Sequence, residues 1–360
     1  MTIKFEKQSY FPALRTRPAE MEGYAQLRDN VKDKLIPIIT LGAWPRAEGI
    51  EQSLEQAQAA VSNRPFILDL TQEGAYQRPA ILELLKSDGD FAAWRKLIAS
   101  TSNVVPVVQT PAHVKLSQII KQARALEGVG TQRIAFRITD FGSDTPRVIA
   151  ALSALDRPSE ALVIIDAGYI RDSMSASLSA CVSSINDVRA EIPESIITVI
   201  STSFPATVTS HLAQESSGTR GTLAILEREL HYAIGADAAI YGDHGSIHSK
   251  VYLTTGGRFM PRIDYPLSDA WEFERRPGKD SAGYIDAAKT LVERFPSIAE
   301  EDTWGAEKIR NAAGGDIDKM RTPARWIAAR VNMHITRQYD LSNELSVLDE
   351  ADLDDDFEEA

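Results

Sequence analysis

The chain has one cysteine, Cys181, in 360 residues. It can form no intrachain disulfide and no cysteine-based zinc centre. It lacks any apolar run near the ~20 residues needed to span a bilayer. Positive charge is short too: 39 Lys and Arg stand against 51 Asp and Glu, a formal net charge of -12. That balance disfavours non-specific binding to nucleic acid or anionic lipid. Gly-x-Gly-x-x-Gly, the Lys-bearing phosphate loop and the Gly-x-Ser-x-Gly elbow are all missing, which leaves dinucleotide binding, P-loop nucleotide hydrolysis and familiar serine hydrolysis without support. The start of the chain, Met1 to Tyr10, mixes charges with single hydrophobes and has no signal-peptide core. A cytoplasmic location is the expectation.

A 43% hydrophobic and 25% charged composition is that of an ordinary globular protein. Short β-rich runs, each followed by a helical stretch, organise it. The runs are Lys34–Leu41, Arg64–Thr71, Asn103–Thr110, Gln132–Thr139, Ala161–Ala167, Ser195–Ser201 and Ala236–Gly242. An eighth is expected at Arg258–Tyr265 or Ala270–Arg275. Helices are expected at Glu48–Ser62, Ala80–Ser87, Phe91–Ser100, Ala112–Glu127, Ser173–Glu191 and Leu223–Ala233. The runs are rich in Val, Ile and Leu with little polar alternation, the pattern of strands buried on both faces. Alternating β and α units at roughly 30-residue intervals predict a parallel sheet, and eight such units a single α/β domain of the (β/α)8 TIM-like barrel type. An open doubly wound sheet is the alternative. The barrel domain with its helical extension is expected over 1–339, the helices running from Ala282 to Tyr339. Residues 340–360 form an acidic tail, with eight acids and no base in Leu348–Ala360. Such a block is expected to be disordered and solvated, unless it masks a basic pocket or mimics nucleic acid.

In a parallel barrel the working face lies at the carboxy ends of the strands. The polar residues there are Thr40, Asp69, Gln72, Glu73, Gln109, Arg137, Asp140, Asp166, Ser201, Ser203, Asp243 and His244. Asp69, Arg137 and Asp166 interrupt apolar strands, where an unpaired charge costs several kcal/mol, on the order of the buried-ion penalty. Two readings stay open: a ligand site in which Arg137 grips phosphate or carboxylate, or a structural network that closes the barrel. Asp166, Asp243 and His244 are the candidate acid–base residues. Asp69, Arg137, Ser201, Ser203, Arg262 and Arg275 are the candidate ligand-binding residues. Ser201 and Ser203 suit either phosphate binding or helix capping. Arg258, Arg262, Arg275, Arg276 and Lys279, with Tyr265, Trp271 and Phe273 between them, suit either a nucleotide-stacking face or plain amphipathic surface. No metal site is expected from His244 and His248, because the glycines around them argue for a loop. Asp69, Asp166 and Asp243 could instead supply oxygen ligands to a hard divalent cation, which nothing in the sequence requires. Buried packing is the expected role of Cys181.

The segment Tyr10-Phe11-Pro12-Ala13-Leu14-Arg15 with Glu20, then Ile36-Pro37-Ile38-Ile39, resembles the opening of the phage beta protein family. Phe136-Arg137-Ile138, Ile165-Asp166, Thr202-Ser203-Phe204-Pro205 and Tyr241-Gly242-Asp243-His244 continue the likeness, as do Arg262-Ile263-Asp264-Tyr265, Trp271 and Arg275. It reaches to about Arg337. One departure is Asp264-Tyr265-Pro266, where the family often has Arg-Tyr-Thr. The resemblance implies a protein of phages and of bacterial mobile or anti-phage defence loci, with no settled activity and no cofactor named. The expected ligand is an anionic, phosphate-bearing or nucleotide-like small molecule, met by a phosphoesterase or other hydrolase. The alternative is a non-catalytic sensor acting through a protein partner encoded nearby. No membrane association is expected.

Overall fold

The computed structural model describes residues 3–213, 219–250, 260–277 and 281–358, with residue 75 and 346–358 as backbone only. Eight parallel strands form one sheet: β1 (Tyr10–Arg15), β2 (Ile38–Leu41), β3 (Phe66–Leu70), β4 (Val104–Pro106), β5 (Ala135–Ile138), β6 (Leu162–Tyr169), β7 (Ile196–Thr202) and β9 (Ile240–Asp243). Their order is β4-β3-β2-β1-β9-β7-β6-β5. The two ends meet at one isolated parallel bridge, Val107 to Ala135, with Val108 N–H donating to Ala135 O at 2.8 Å. The sheet is thus a nearly closed barrel.

Around it lie α1 (Pro18–Ala25), α2 (Asp29–Lys32), α3 (Glu51–Val61), α4 (Pro79–Leu84), α5 (Ala92–Ala99), α6 (Leu116–Glu127), α7 (Phe141–Leu152), α8 (Met174–Glu191) and α9 (Glu227–Ile234). Seven of the expected strands are present with shifted bounds: most are shorter, while β6 runs on to Tyr169 and β7 to Thr202. The eighth is not where the sequence pattern puts it. The barrel's remaining strand is β1, at the front of the chain. The later candidates form β10 (Arg262–Pro266) and β11 (Ala270–Arg275), antiparallel to each other and joined by β8 (Arg220–Ala224) in a separate three-stranded sheet. β8 also takes Leu223 and Ala224, which the helical pattern places at the start of a helix. Arg258 and Lys279 lie outside the described residues.

Side chains on a strand alternate between faces. Phe11 and Ala13 of β1, Ile38 of β2, Ile67 of β3, Val105 of β4, Ala135 of β5, Leu162 and Ile164 of β6 and Ile200 of β7 form one buried cluster inside the barrel, with Ile3 and Phe5 among them. Their neighbours in sequence, such as Tyr10, Leu14, Ile39, Leu68, Phe136, Ile165 and Tyr241, belong to the larger core between sheet and helices. Cys181 is part of that outer core. Burial, with the negative charge of Asp166 adding to it, pushes its thiol up to about 12. The folded protein is therefore expected to ignore a thiol reagent at neutral pH and react only on unfolding; rapid labelling of the native chain would contradict this.

The carboxy-terminal helices α10 (Ala282–Arg294), α11 (Trp304–Ala313) and α12 (Pro323–Glu358) enclose a second core with Tyr265, Trp326 and Met333. The helical backbone of α12 runs as far as Glu358. α12 lies against α1 because Gly23 has no side chain. A Cβ there would sit 2.6 Å from Ala328 O and 2.8 Å from Val331 Cβ. Gly23→Ala is expected to destabilise the protein by about 1–3 kcal/mol through overpacking, read as a lower urea midpoint. An unchanged midpoint would mean that α12 can shift freely. Among the described residues no helix is long and apolar enough to cross a membrane.

Candidate functional site

The two-residue period that turns Ala13, Ile38, Ile67, Ala135 and Ile164 inward also turns inward the polar residue two positions on. These are Arg15, Thr40, Asp69, Arg137 and Asp166, joined by Gln109 and His244 just past β4 and β9. All seven line a cavity of about 370 Å³ at the carboxy ends of the strands.

Arg137 is at the centre. Its Nε and Nη2 donate to Asp166 Oδ2 at 3.2 and 2.6 Å, and its Nη1 donates to Asp69 Oδ2 at 2.8 Å and Thr40 Oγ1 at 3.0 Å. Asp69 Oδ1 accepts from Gln109 Nε2 at 2.9 Å and from Leu70 N–H at 2.8 Å. Asp166 Oδ1 accepts from His244 Nε2 at 2.9 Å and from Gly168 N–H at 2.9 Å. Gly168 sits at a register break in β6 and has φ +62°, a conformation glycine adopts without strain. The break lets the backbone fold back onto the Asp166 carboxylate.

Burial alone would raise the Asp166 pKa. The charges of His244 and Arg137 outweigh it and hold that carboxyl well below its usual range. Burial would likewise lower the Arg137 pKa, but Asp166 and Asp69 push it higher still. The carboxylate fixes which ring nitrogen of His244 carries the proton: Nε2 donates to it, and no partner for Nδ1 occurs among the described residues. The result is an Asp–His pair whose imidazole is held in one orientation by the carboxylate.

The arginine is therefore spent on two carboxylates. Both readings open at the level of sequence bear on this cluster, since it links β2, β3, β5 and β6 while lining the cavity. Of the charged side chains around the cavity, Arg15, Arg137 and Lys250 are cationic and Glu20, Asp69, Glu73 and Asp166 anionic.

Asp243 is not among them. Being one residue from His244, it faces the other way, and it is fully buried between the barrel and α12. There it accepts from Tyr10 Oη at 2.7 Å, Tyr241 Oη at 3.0 Å, Gly245 N–H at 2.7 Å and His334 Nε2 at 3.0 Å. Burial would raise its pKa, and His334 and the hydroxyl and amide donors lower it. Asp69, Asp166 and Asp243 thus do not converge as a cation site, and no cluster of metal-ligating side chains occurs among the described residues.

Ser201 and Ser203 also lie off the cavity by parity. The Ser203 hydroxyl donates to Glu227 Oε2 at 2.5 Å and accepts from Leu226 N–H at 3.1 Å, tying the segment after β7 to the start of α9. Burial raises the Glu227 pKa. Asp140 is the cap of α7, accepting from Gly142 and Ser143 N–H. Arg262 and Arg275 face each other across the β10–β11 ladder, with Arg262 Nε 2.8 Å from Asp264 Oδ1. Asp264 is also bound by the buried Arg330 of α12, so this pair belongs to the second sheet's attachment and not to the cavity.

Sequence reasoning missed Arg15, Glu20 and His334. The first could have been found by extending the inward alternation to β1. His334 comes from a distant helix and left no local signal.

A barrel of parallel strands with a polar inner layer at its carboxy end defines a broad class of α/β proteins, and the chain's relatives narrow it. The family model described as Beta protein matches residues 10–340. The chain is also 47% identical over 346 residues to "Protein beta" of Enterobacteria phage P4, covering 96% of this chain and 97% of that protein. The chain belongs to the Beta protein family. No solved structure matches it.

Proposed function

We propose that the cavity is the working site of a (β/α)8 barrel of the TIM type. In this reading it takes a small polar molecule bearing an anionic group, with His244 as the acid–base residue and Asp166 as the group that orients it. The observation that carries the reading is the inner polar layer itself. Charged and hydrogen-bonding side chains from β1, β2, β3, β5 and β6 and from the turns after β4 and β9 meet around about 370 Å³ of space, which is ample for a metabolite-sized ligand. Hydrolysis of an ester or phosphoester needs a group that moves a proton, and His244 is the histidine among the lining residues. A second reading is a non-catalytic ligand sensor, acting through a protein partner in phage or anti-phage biology. It is favoured by the saturation of Arg137, which leaves that arginine as a brace.

The test pairs binding with turnover. The intact protein is screened against nucleotides, sugar phosphates and phosphoesters for thermal stabilisation and for product, beside His244→Gln. A ligand at about 100 times its Kd should stabilise the folded state by about 2.7 kcal/mol. Turnover that His244→Gln abolishes supports the enzyme. Stabilisation without turnover supports the sensor. Neither effect with any compound would sink the cavity as the working site.

A further inference from the structure

We infer that the anionic group of the cavity's ligand is taken by Arg15, with Lys250 beside it, and not by Arg137. The ligand is then a small organic anion that also carries a hydroxyl or amine, received by Gln109. This rests on the cavity being a ligand site and specifies what that site binds.

The cations around the cavity are unequal. Arg137 is neutralised by Asp69 and Asp166. An incoming anion would have to displace a buried carboxylate to reach it. Arg15 and Lys250 make no ion pair among the described residues. Arg15 Nη2 donates to two carbonyls, His248 O at 2.5 Å and Ser249 O at 2.7 Å, so its charge is held in place and not cancelled. That grip on Ser249 also fixes the next residue, Lys250, at the same corner, where it lines the cavity and is exposed.

Two buried atoms of the lining residues lack partners among the described residues. Arg15 is 7% exposed, and its Nη1 has no acceptor. Gln109 is 1% exposed, and its Oε1 has no donor. The amide orientation of Gln109 is set, because Nε2 donates to both Asp69 Oδ1 and Val107 O. An unpaired buried donor or acceptor is an unfavourable arrangement that proteins rarely keep without use. Arg15 and Gln109 both line the one cavity, so the unpaired donor and the unpaired acceptor belong to two of its wall residues. An anionic oxygen satisfies the first, and an O–H or N–H satisfies the second. Glu20, which accepts Arg15 N–H at 2.7 Å, adds a reason for the ligand to be more than a bare anion: a donor on it would also ease that carboxylate's approach.

The experiment is calorimetric titration of the full chain with ribose 5-phosphate, glycerate, inorganic phosphate and neutral ribose. Ribose 5-phosphate or glycerate is expected to bind, which also separates phosphate from carboxylate as the preferred anion. Inorganic phosphate, with no hydroxyl-bearing carbon frame for Gln109, should bind more weakly, and ribose should not bind. Arg15→Gln is expected to weaken binding by about tenfold or more, the loss of one charge-assisted hydrogen bond. Lys250→Gln, at an exposed position that does not endanger folding, should weaken it by about threefold. If the organic anions bind the wild type and both variants equally well, or ribose binds as tightly as its phosphate, the Arg15 assignment falls while the cavity stands as a ligand site. If none of the four binds, both fall.

Discussion

Arg137→Ala is expected to lower the stability of the protein by about 3–5 kcal/mol at neutral pH, because it strands two buried carboxylates that nothing else neutralises in full. The pH dependence separates this from simple loss of packing. In the wild type, burial at Asp166 is overridden by the charges of His244 and Arg137, so its folded pKa lies below its unfolded value. Its contribution is fully present above the ordinary carboxylate range, about pH 4, and is lost only as the pH falls further through the depressed folded pKa. Without Arg137 the burial of Asp166 is opposed by His244 alone among the charges that hold its pKa down, so that carboxyl takes up a proton more readily in the folded variant than in the folded wild type. The variant's deficit should then shrink between about pH 7 and pH 4. Urea denaturation at both pH values measures it. A deficit of constant size would mean that Asp166 stays ionised by other means.

Asp243→Ala is expected to match that loss, at about 3–5 kcal/mol, without touching the cavity. The carboxylate accepts from four donors on three parts of the chain: Tyr10 in β1, Tyr241 and Gly245 at β9, and His334 in α12. Removing it leaves buried donors unpaired at the joint between the barrel and the carboxy-terminal helices. Trp271 stacks on His334 with ring centroids 5.6 Å apart, so the second sheet meets the same joint. Asp243→Asn keeps an acceptor and should lose less. Denaturation midpoints, with ligand affinity measured on the folded variant, distinguish this from a role in catalysis. A variant of wild-type stability that had lost ligand binding would restore Asp243 to the working site.

The barrel is legible in the sequence where the physics is local. Val, Ile and Leu runs mark β2, β3, β4, β5, β6, β7 and β9, and the charges within them mark Asp69, Arg137 and Asp166. β1 is hidden by Pro12, which lacks an N–H for a ladder, and by the charged residues before it. β11 misleads for the opposite reason. Trp271-Glu272-Phe273-Glu274 alternates strictly, the pattern of an antiparallel strand with unlike faces, and not of a barrel strand buried on both. Its glutamates are nonetheless covered, since Arg294 pairs with both of them. The misplacement of Asp243 comes from treating neighbours as companions. Asp243 and His244 are adjacent in sequence and therefore opposed in space. The role of His334 depends on where a helix some ninety residues downstream comes to rest, and no window of sequence carries that.

The meeting of β4 and β5 has a last consequence. The ring of strands is a C-shape whose lips touch through little backbone, and Arg137 on one lip reaches across the lumen to Asp69 and Thr40 on the other arm. One guanidinium is both the clasp of the hoop and part of the lining of the chamber inside it. The bore of the chamber and the closure of the hoop are consequently a single variable: a substitution that retunes the charges within also resets how tightly the wall is drawn shut.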